Sequence, residues 1–215
     1  GTGVFQRDVL LRLARDAEKL KGKLDDKLNG AEAIAKQLLK DGFNPIIFCR
    51  FIQTAEYVAD ELRKRLKASH PDLVVSCITG LIPPEARKQQ IEDLEESRPQ
   101  LLVCTECLSE GINLQFYFDA VLHYDLSWNP TRHEQREGRV DRFGQPKKTV
   151  RVVTYAGNNP MDGAVIEILL AKHQKIRRAT GFSVPVPVET ELVVQAIRKI
   201  LRLRQGSQLG LFDSP

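Results

Sequence analysis

The sequence predicts an α/β protein, a mostly parallel sheet with helices on both faces and helical extensions at the N- and C-termini. Three observations predict it. Short apolar runs alternate with helical patterns of roughly 10–15 residues, the order of βαβ units. The apolar runs are continuous, as strands buried on both faces require. The 215 residues, 42% hydrophobic and 28% charged, can form an ordinary core and lack the composition of a disordered chain.

The elements follow in order. Residues 7–20 place Leu10, Leu13, Ala14, Ala17 and Leu20 on one helical face. Asn29 with Glu32 three positions later has the capping-box pattern for a second helix. Its stripe is Ala31, Ile34, Ala35, Leu38 and Leu39, and Gly42 closes it. Strands are expected at Pro45–Cys49, Leu73–Ile78, Leu101–Cys104, Ala120–Tyr124 and Val150–Tyr155. Helices are expected from Thr54 to Lys67, with Val58, Leu62 and Leu66 inward, and from Pro84, suited to a first helical position, to about Glu96. Another opens at Asn129-Pro130, and two more fit 160–179 and 189–204. These spans divide the chain into a helical lead-in (1–28), a central domain (29–180) and a C-terminal helical extension with a loose tail (181–215).

Composition narrows the function classes. No apolar run approaches the roughly 20 residues that span a bilayer, and no signal-peptide pattern opens the chain. No membrane partner is expected. Met161 is the only methionine and the chain starts Gly1-Thr2-Gly3, so we expect a piece of a larger protein. The net charge of +4 is unevenly placed. Residues 1–130 hold 17 Lys and Arg against 20 Asp and Glu, whereas 131–215 hold 15 against 8. A basic second half suits a phosphate or nucleic-acid partner, or forms a solvated face. Cys104-Thr-Glu-Cys107 has metal-like spacing, but a lone pair supplies half a tetrahedral shell, so no metal is expected. Four cysteines in so long a chain make no secreted disulfide framework, which leaves a reducing cytoplasm as the expected location.

In a parallel α/β sheet, ligands gather at the carboxyl ends of the strands. Those ends lead into Arg50-Phe51, Thr79-Gly80, Thr105–Leu114 and the long block Asp125–Gln145. The block is the most informative part. Arg132, Gln135, Arg136, Arg139 and Arg142 recur at three- and four-residue steps, so several are expected on one helical face. A row of guanidinium forks suits phosphate oxygens. The alternative is a surface helix laced by Glu134, Glu137 and Asp141. Gly138, read as lying inside that helix, favours close approach by a ligand.

Gln135-Arg-Glu-Gly-Arg-Val-Asp-Arg-Phe-Gly-Gln145 resembles the sixth motif of superfamily-2 helicases. With Asp125-Leu-Ser-Trp-Asn-Pro-Thr131 it resembles the Swi/Snf-type branch, including the bacterial RNA-polymerase-recycling ATPase. Thr105–Leu114 resembles the fifth motif and Pro45–Phe51 the fourth, where the family more often has Ser-Gln at 49–50. Thr79-Gly80 resembles the turn before the family's Arg-containing helix, which here carries Arg87. The resemblance runs from about residue 25 to about 180.

The resemblance implies the second of two RecA-like lobes, with ATP bound between them. No G-x-x-x-x-G-K-[ST] phosphate loop occurs in the chain, so the first lobe, which would hold Mg²⁺, is the expected partner. By match to the motifs, Arg139 and Arg142 are arginine fingers, the catalytic residues. Gln135, Arg136, Glu110, Gly111 and Asn113 are nucleotide-side residues. Arg136 is expected to pair with acidic groups near the lobe interface. Asn113 stands where related helicases have an aspartate, which weakens its match. Thr79, Gly80, Thr105, Arg50 and Phe51 are nucleic-acid contacts, Arg50 being a departure from the family. Trp128 either stacks on a base or braces its loop; the match to Trp-Asn-Pro favours bracing. The implied function is ATP-dependent translocation on double-stranded DNA, with RNA polymerase or another protein as cargo. The isolated lobe is expected to be inactive. The other readings are a lobe of a strand-separating DNA or RNA helicase and a non-catalytic docking module.

Overall fold

In the computed structural model, which describes residues 2–94, 98–108, 112–127 and 130–155, the strands are β1 (Pro45–Phe48), β2 (Val74–Ile78), β3 (Gln100–Cys104), β4 (Ala120–His123) and β5 (Arg151–Thr154). They form one sheet in the order β2-β3-β1-β4-β5. Every neighbouring pair is parallel. All five fall within a residue of the runs expected from the sequence. The expected helices at 160–179 and 189–204 lie outside the described residues.

Side-chain alternation along each strand sorts the core into two layers. Ile47, Leu101, Val103 and Leu122 face a layer built from α2 (Asp26–Lys40) and α3 (Ile52–Leu66). That layer includes Leu28, Ala31 and Ala35 of α2 and Ala55, Val58, Leu62 and Leu66 of α3. Ile46, Phe48, Leu102, Cys104 and Val121 face the other layer, with Ile91 of α4 (Pro84–Glu92), Leu108, Leu114, Phe118 and Val140. The three central strands are buried at every position, whereas β5 is an exposed edge. Burial of each Val, Leu, Ile or Phe side chain among these contributes roughly 1.5–3 kcal/mol.

The structure corrects three local expectations. Helix α2 begins a turn before Asn29, because the Asp25 side chain accepts the Leu28 N–H at 2.9 Å and so caps it. Asn29 instead bonds the Lys23 carbonyl and Arg65. Helix α4 stops at Glu92, short of the expected 96, with Asp93 as its C-cap. Helix α5 (Pro130–Glu137) starts at Pro130 as expected but ends before Gly138. Gly138 donates to the Glu134 carbonyl at 2.8 Å and leads out of the helix. Arg139 and Arg142 therefore lie on the following turns, not in a row along the helix.

Helix α1 (Thr2–Lys19) has the amphipathic spacing expected of residues 7–20, but that face is open to solvent, with Leu10, Leu13 and Leu20 exposed. Among the described residues no helix is long and apolar enough to cross a membrane.

Candidate functional site

Register places the strand ends in one row. Phe48 pairs with both Cys104 and His123, Ile78 with Cys104, and His123 with Thr154. The segments that follow the strands thus meet along one rim.

At its centre is Arg136, one of the largest fully buried side chains in the protein. Its Nε donates to Glu106 Oε1 at 2.9 Å, and its Nη2 makes a second, short bond to the same oxygen. Nη1 donates to the Asp125 carbonyl at 3.1 Å and approaches His123 Nδ1 at 3.4 Å. The guanidinium also lies 5.3 Å from the centre of the Phe48 ring. A buried guanidinium is tolerable only when paired and hydrogen-bonded, and these contacts meet that demand. Among the described residues, Glu106 is the acidic partner of Arg136.

Because a guanidinium only donates, His123 Nδ1 is the acceptor and Nε2 carries the proton toward Glu137 Oε1 at 3.1 Å. Burial is the largest influence on His123 and pushes its pKa down, despite Glu137. His133 packs edge-on against His123, with ring centres 4.4 Å apart. Its Nε2 lies 3.0 Å from the Ser127 N–H. Burial, then His123 and Arg136, push His133 down to about 4. Both imidazoles are neutral packing groups at neutral pH.

Asp125 ties this centre to the neighbouring loop. Its Oδ2 accepts the Arg50 N–H at 2.9 Å, and its Oδ1 pairs with Lys27 Nζ of α2 at 2.6 Å. Arg50 and Phe51 are exposed beside it, the guanidinium 5.2 Å from the ring centre. Farther along the rim, Thr79 and Thr105 are buried and Gly80 is exposed. The Thr105 N–H donates to the Ile78 carbonyl at 3.3 Å, which places the two threonine segments side by side.

The arginines beyond α5 differ in kind from Arg136. Arg139 is half-buried and Arg142 exposed, and among the described residues neither guanidinium makes an ion pair or a hydrogen bond. Their loop is nevertheless anchored. Val140 is fully buried in the core. Gln145 Nε2 donates to the Phe118 and Val140 carbonyls, both at 3.0 Å, and its N–H donates to the Arg142 carbonyl at 3.0 Å. Gly144 makes the turn at φ +92°. Gln135 and Asn113 are both exposed. Glu110, Gly111 and Trp128 lie outside the described residues.

Sequence reasoning did not single out Glu106, His123 or Asp125 as partners of Arg136. The only signal was position, since each stands at or just past a strand end. Cys104 is fully buried, with its thiol pushed well up by that burial, and Cys107 Sγ faces the Ile78 carbonyl at 3.6 Å.

Residues 30–144, more than half of the chain, match the family described as helicase conserved C-terminal domain. The chain belongs to that family. Among curated relatives, an uncharacterized ATP-dependent helicase, YqhH of Bacillus subtilis, is 36% identical over 95 residues, which is 44% of this chain and 17% of that protein. The RNA polymerase-associated protein RapA of Pectobacterium carotovorum is 47% identical over 64 residues, 30% of this chain and 6% of RapA. The helicase domain described here thus spans less than a fifth of these relatives' lengths. Among solved structures, the C-terminal part of the Fun30 ATPase domain superposes with a TM-score of 0.55 at 19% identity, covering 79% of this chain and 51% of that one. The Sulfolobus solfataricus SWI2/SNF2 ATPase core in complex with dsDNA gives 0.52 at 22%, covering 70% and 30%. The parallel five-stranded sheet is therefore the RecA-like fold of these ATPase C-terminal lobes, as the motifs implied.

Proposed function

We propose that this helicase C-terminal domain is the second motor lobe of a Swi/Snf-type, DNA-dependent ATPase that translocates on duplex DNA. The observation that carries the reading is the contrast between arginines. Arg136 is buried and hydrogen-bonded by Glu106, Asp125 and His123, whereas Arg139 and Arg142 are held on an anchored loop with no partner among the described residues. Unpaired guanidinium groups on a fixed backbone are poised for an anion that another part of the protein delivers.

In this reading a first lobe brings ATP and holds Mg²⁺. Arg139 and Arg142 meet the γ-phosphate and stabilise the charge that spreads over its oxygens during transfer, a role worth about 10³–10⁵ in rate. Gln135, Glu110, Gly111 and Asn113 border the nucleotide. Arg136 braces the helix that positions these groups from beneath. Along the rim, Gly80 offers its backbone N–H, with Thr79 and Thr105 beside it and Arg50 and Phe51 nearby. Such contacts hold phosphates without reading sequence, so binding is sequence-tolerant and weakened by salt. The SWI2/SNF2 neighbour is a complex with dsDNA, and RapA is named for its association with RNA polymerase. Duplex DNA is the track we propose, and RNA polymerase is a candidate cargo.

The test is ATP hydrolysis by the protein that joins this lobe to a phosphate-loop lobe. Turnover should rise when duplex DNA is added. The enzyme should strip a third strand from a triplex faster than it separates a duplex. Turnover indifferent to DNA, or efficient duplex separation without triplex displacement, refutes the translocase reading.

A further inference from the structure

Resting on the nucleic-acid reading above, we propose that Arg87 is a positioning residue. Its guanidinium sets the spacing between the loops after β2 and β3 at which their neutral groups meet one phosphate, and it does not touch the phosphate itself.

Arg87 lies in the first turn of α4, half-buried. Its Nε donates to the Ile82 carbonyl at 2.6 Å, its Nη1 to the Cys107 carbonyl at 2.5 Å, and its Nη2 reaches the Gly80 carbonyl at 3.4 Å. All three nitrogens are thus turned to backbone carbonyls. Two of those belong to the loop that carries Thr79 and Gly80. The third belongs to the loop that carries Thr105. The same two loops have two further links, both to the Ile78 carbonyl, from Cys107 Sγ at 3.6 Å and from the Thr105 N–H at 3.3 Å. A Cβ placed on Gly80 would meet Cys107 Cβ only at 3.9 Å, so the loops are bridged without being jammed together.

The chemistry of the fork decides between bridging and direct contact. A planar guanidinium presents its five N–H donors in fixed directions, and here one donor on each nitrogen is turned to a carbonyl on one of two separate loops. An ammonium at the same place is a point charge that satisfies one of them. Arg139 and Arg142 show what an uncommitted arginine looks like in this fold. Arg87 is the opposite case. The groups that it leaves for phosphate are the Gly80 amide and the adjacent threonine segments, which are uncharged.

Two measurements test this. Amide hydrogen exchange without nucleic acid reads the positioning alone. In Arg87→Ala and Arg87→Lys, residues 79–82 and 105–108 should exchange faster while β1 and β4 stay protected. Unchanged exchange in both loops overturns the proposal. Fluorescence anisotropy with a labelled DNA duplex over a series of KCl concentrations then reads the contact. Both variants should bind about tenfold more weakly, the loss of one to two neutral hydrogen bonds. The dependence of log Kd on log salt should keep its wild-type slope. A slope reduced by about 0.9, one phosphate charge lost from duplex DNA, or full affinity in Arg87→Lys, shows Arg87 contacting phosphate directly and overturns the proposal. If the loops loosen as expected but the wild type fails to bind duplex at all, the nucleic-acid reading itself falls, and the phosphate role of Arg87 with it.

Discussion

Replacing Glu106 with Gln removes the one carboxylate that, among the described residues, is bonded to the Arg136 guanidinium, a side chain in a residue 1% exposed. Taking one partner from a buried pair costs about 3–5 kcal/mol, because the other charge is left uncompensated. The Glu106 side chain is 34% exposed, so water reaches the site, and the Gln oxygen still accepts one bond. Both effects place the cost at or below the lower end of that range, about 2–3 kcal/mol. In a chain of this size that lowers Tm by about 5–10 °C. Most of this cost comes from the charge on Arg136 and little from Glu106 itself. In an Arg136→Met background, where the charge is gone and a flexible apolar chain lies beside Phe48, Glu106→Gln should therefore cost almost nothing. Urea titration of the four proteins of this double-mutant cycle measures the coupling, expected at about 2 kcal/mol or more. If Glu106→Gln costs the same with and without Arg136, the buried-charge account of the site centre is wrong.

Two further outcomes follow from the geometry. His133 is held neutral with its pKa near 4, whereas the unfolded chain takes up that proton near the ordinary value of about 6.5. Between these values the unfolded state binds more protons, so this contribution is complete above about pH 6.5 and is lost as pH falls toward 4, up to about 3 kcal/mol in all. His123 acts in the same direction. Urea midpoints for wild type and His133→Asn at neutral and mildly acidic pH should converge as pH falls; a constant gap contradicts this. Gly30 sits inside α2 with the Tyr155 hydroxyl 2.0 Å from where a Cβ would stand. Gly30→Ala, which in an open helix stabilises by about 0.5–1 kcal/mol, should here lower Tm, and Tyr155→Ala in the same chain should restore the usual gain. A Gly30→Ala chain that melts higher by itself refutes that packing.

The sequence carried the strands well, because a continuous apolar run bounded by polar turns reads the same whatever it pairs with. It also carried the motif order, and hence which loops share the rim. Local signals with two equivalent owners were read less well. Asp25 and Asn29 are both good caps, and the choice fell to Asp25, whose side chain reaches the Leu28 N–H. Gly138 inside a charged stretch looked like a helical position under a ligand, yet it ends α5. The deeper omission concerns Arg136. In the sequence it is one of four arginines at helical spacing. Its burial depends on Glu106 and Asp125, which lie 30 and 11 residues away and meet it only when parallel pairing of β1, β3 and β4 aligns the strand ends. No local periodicity encodes that meeting.

The central claim is that Arg139 acts on the transferring phosphate and does no structural work in the lobe. The most direct test is Arg139→Ala in the protein that joins this lobe to its phosphate-loop partner, with turnover and nucleotide affinity measured side by side. The account predicts that DNA-stimulated turnover falls by about 10³-fold or more, while the Kd for ATP and the Tm change little. Turnover at the wild-type rate, or a loss of turnover explained entirely by lost nucleotide binding or unfolding, would contradict it.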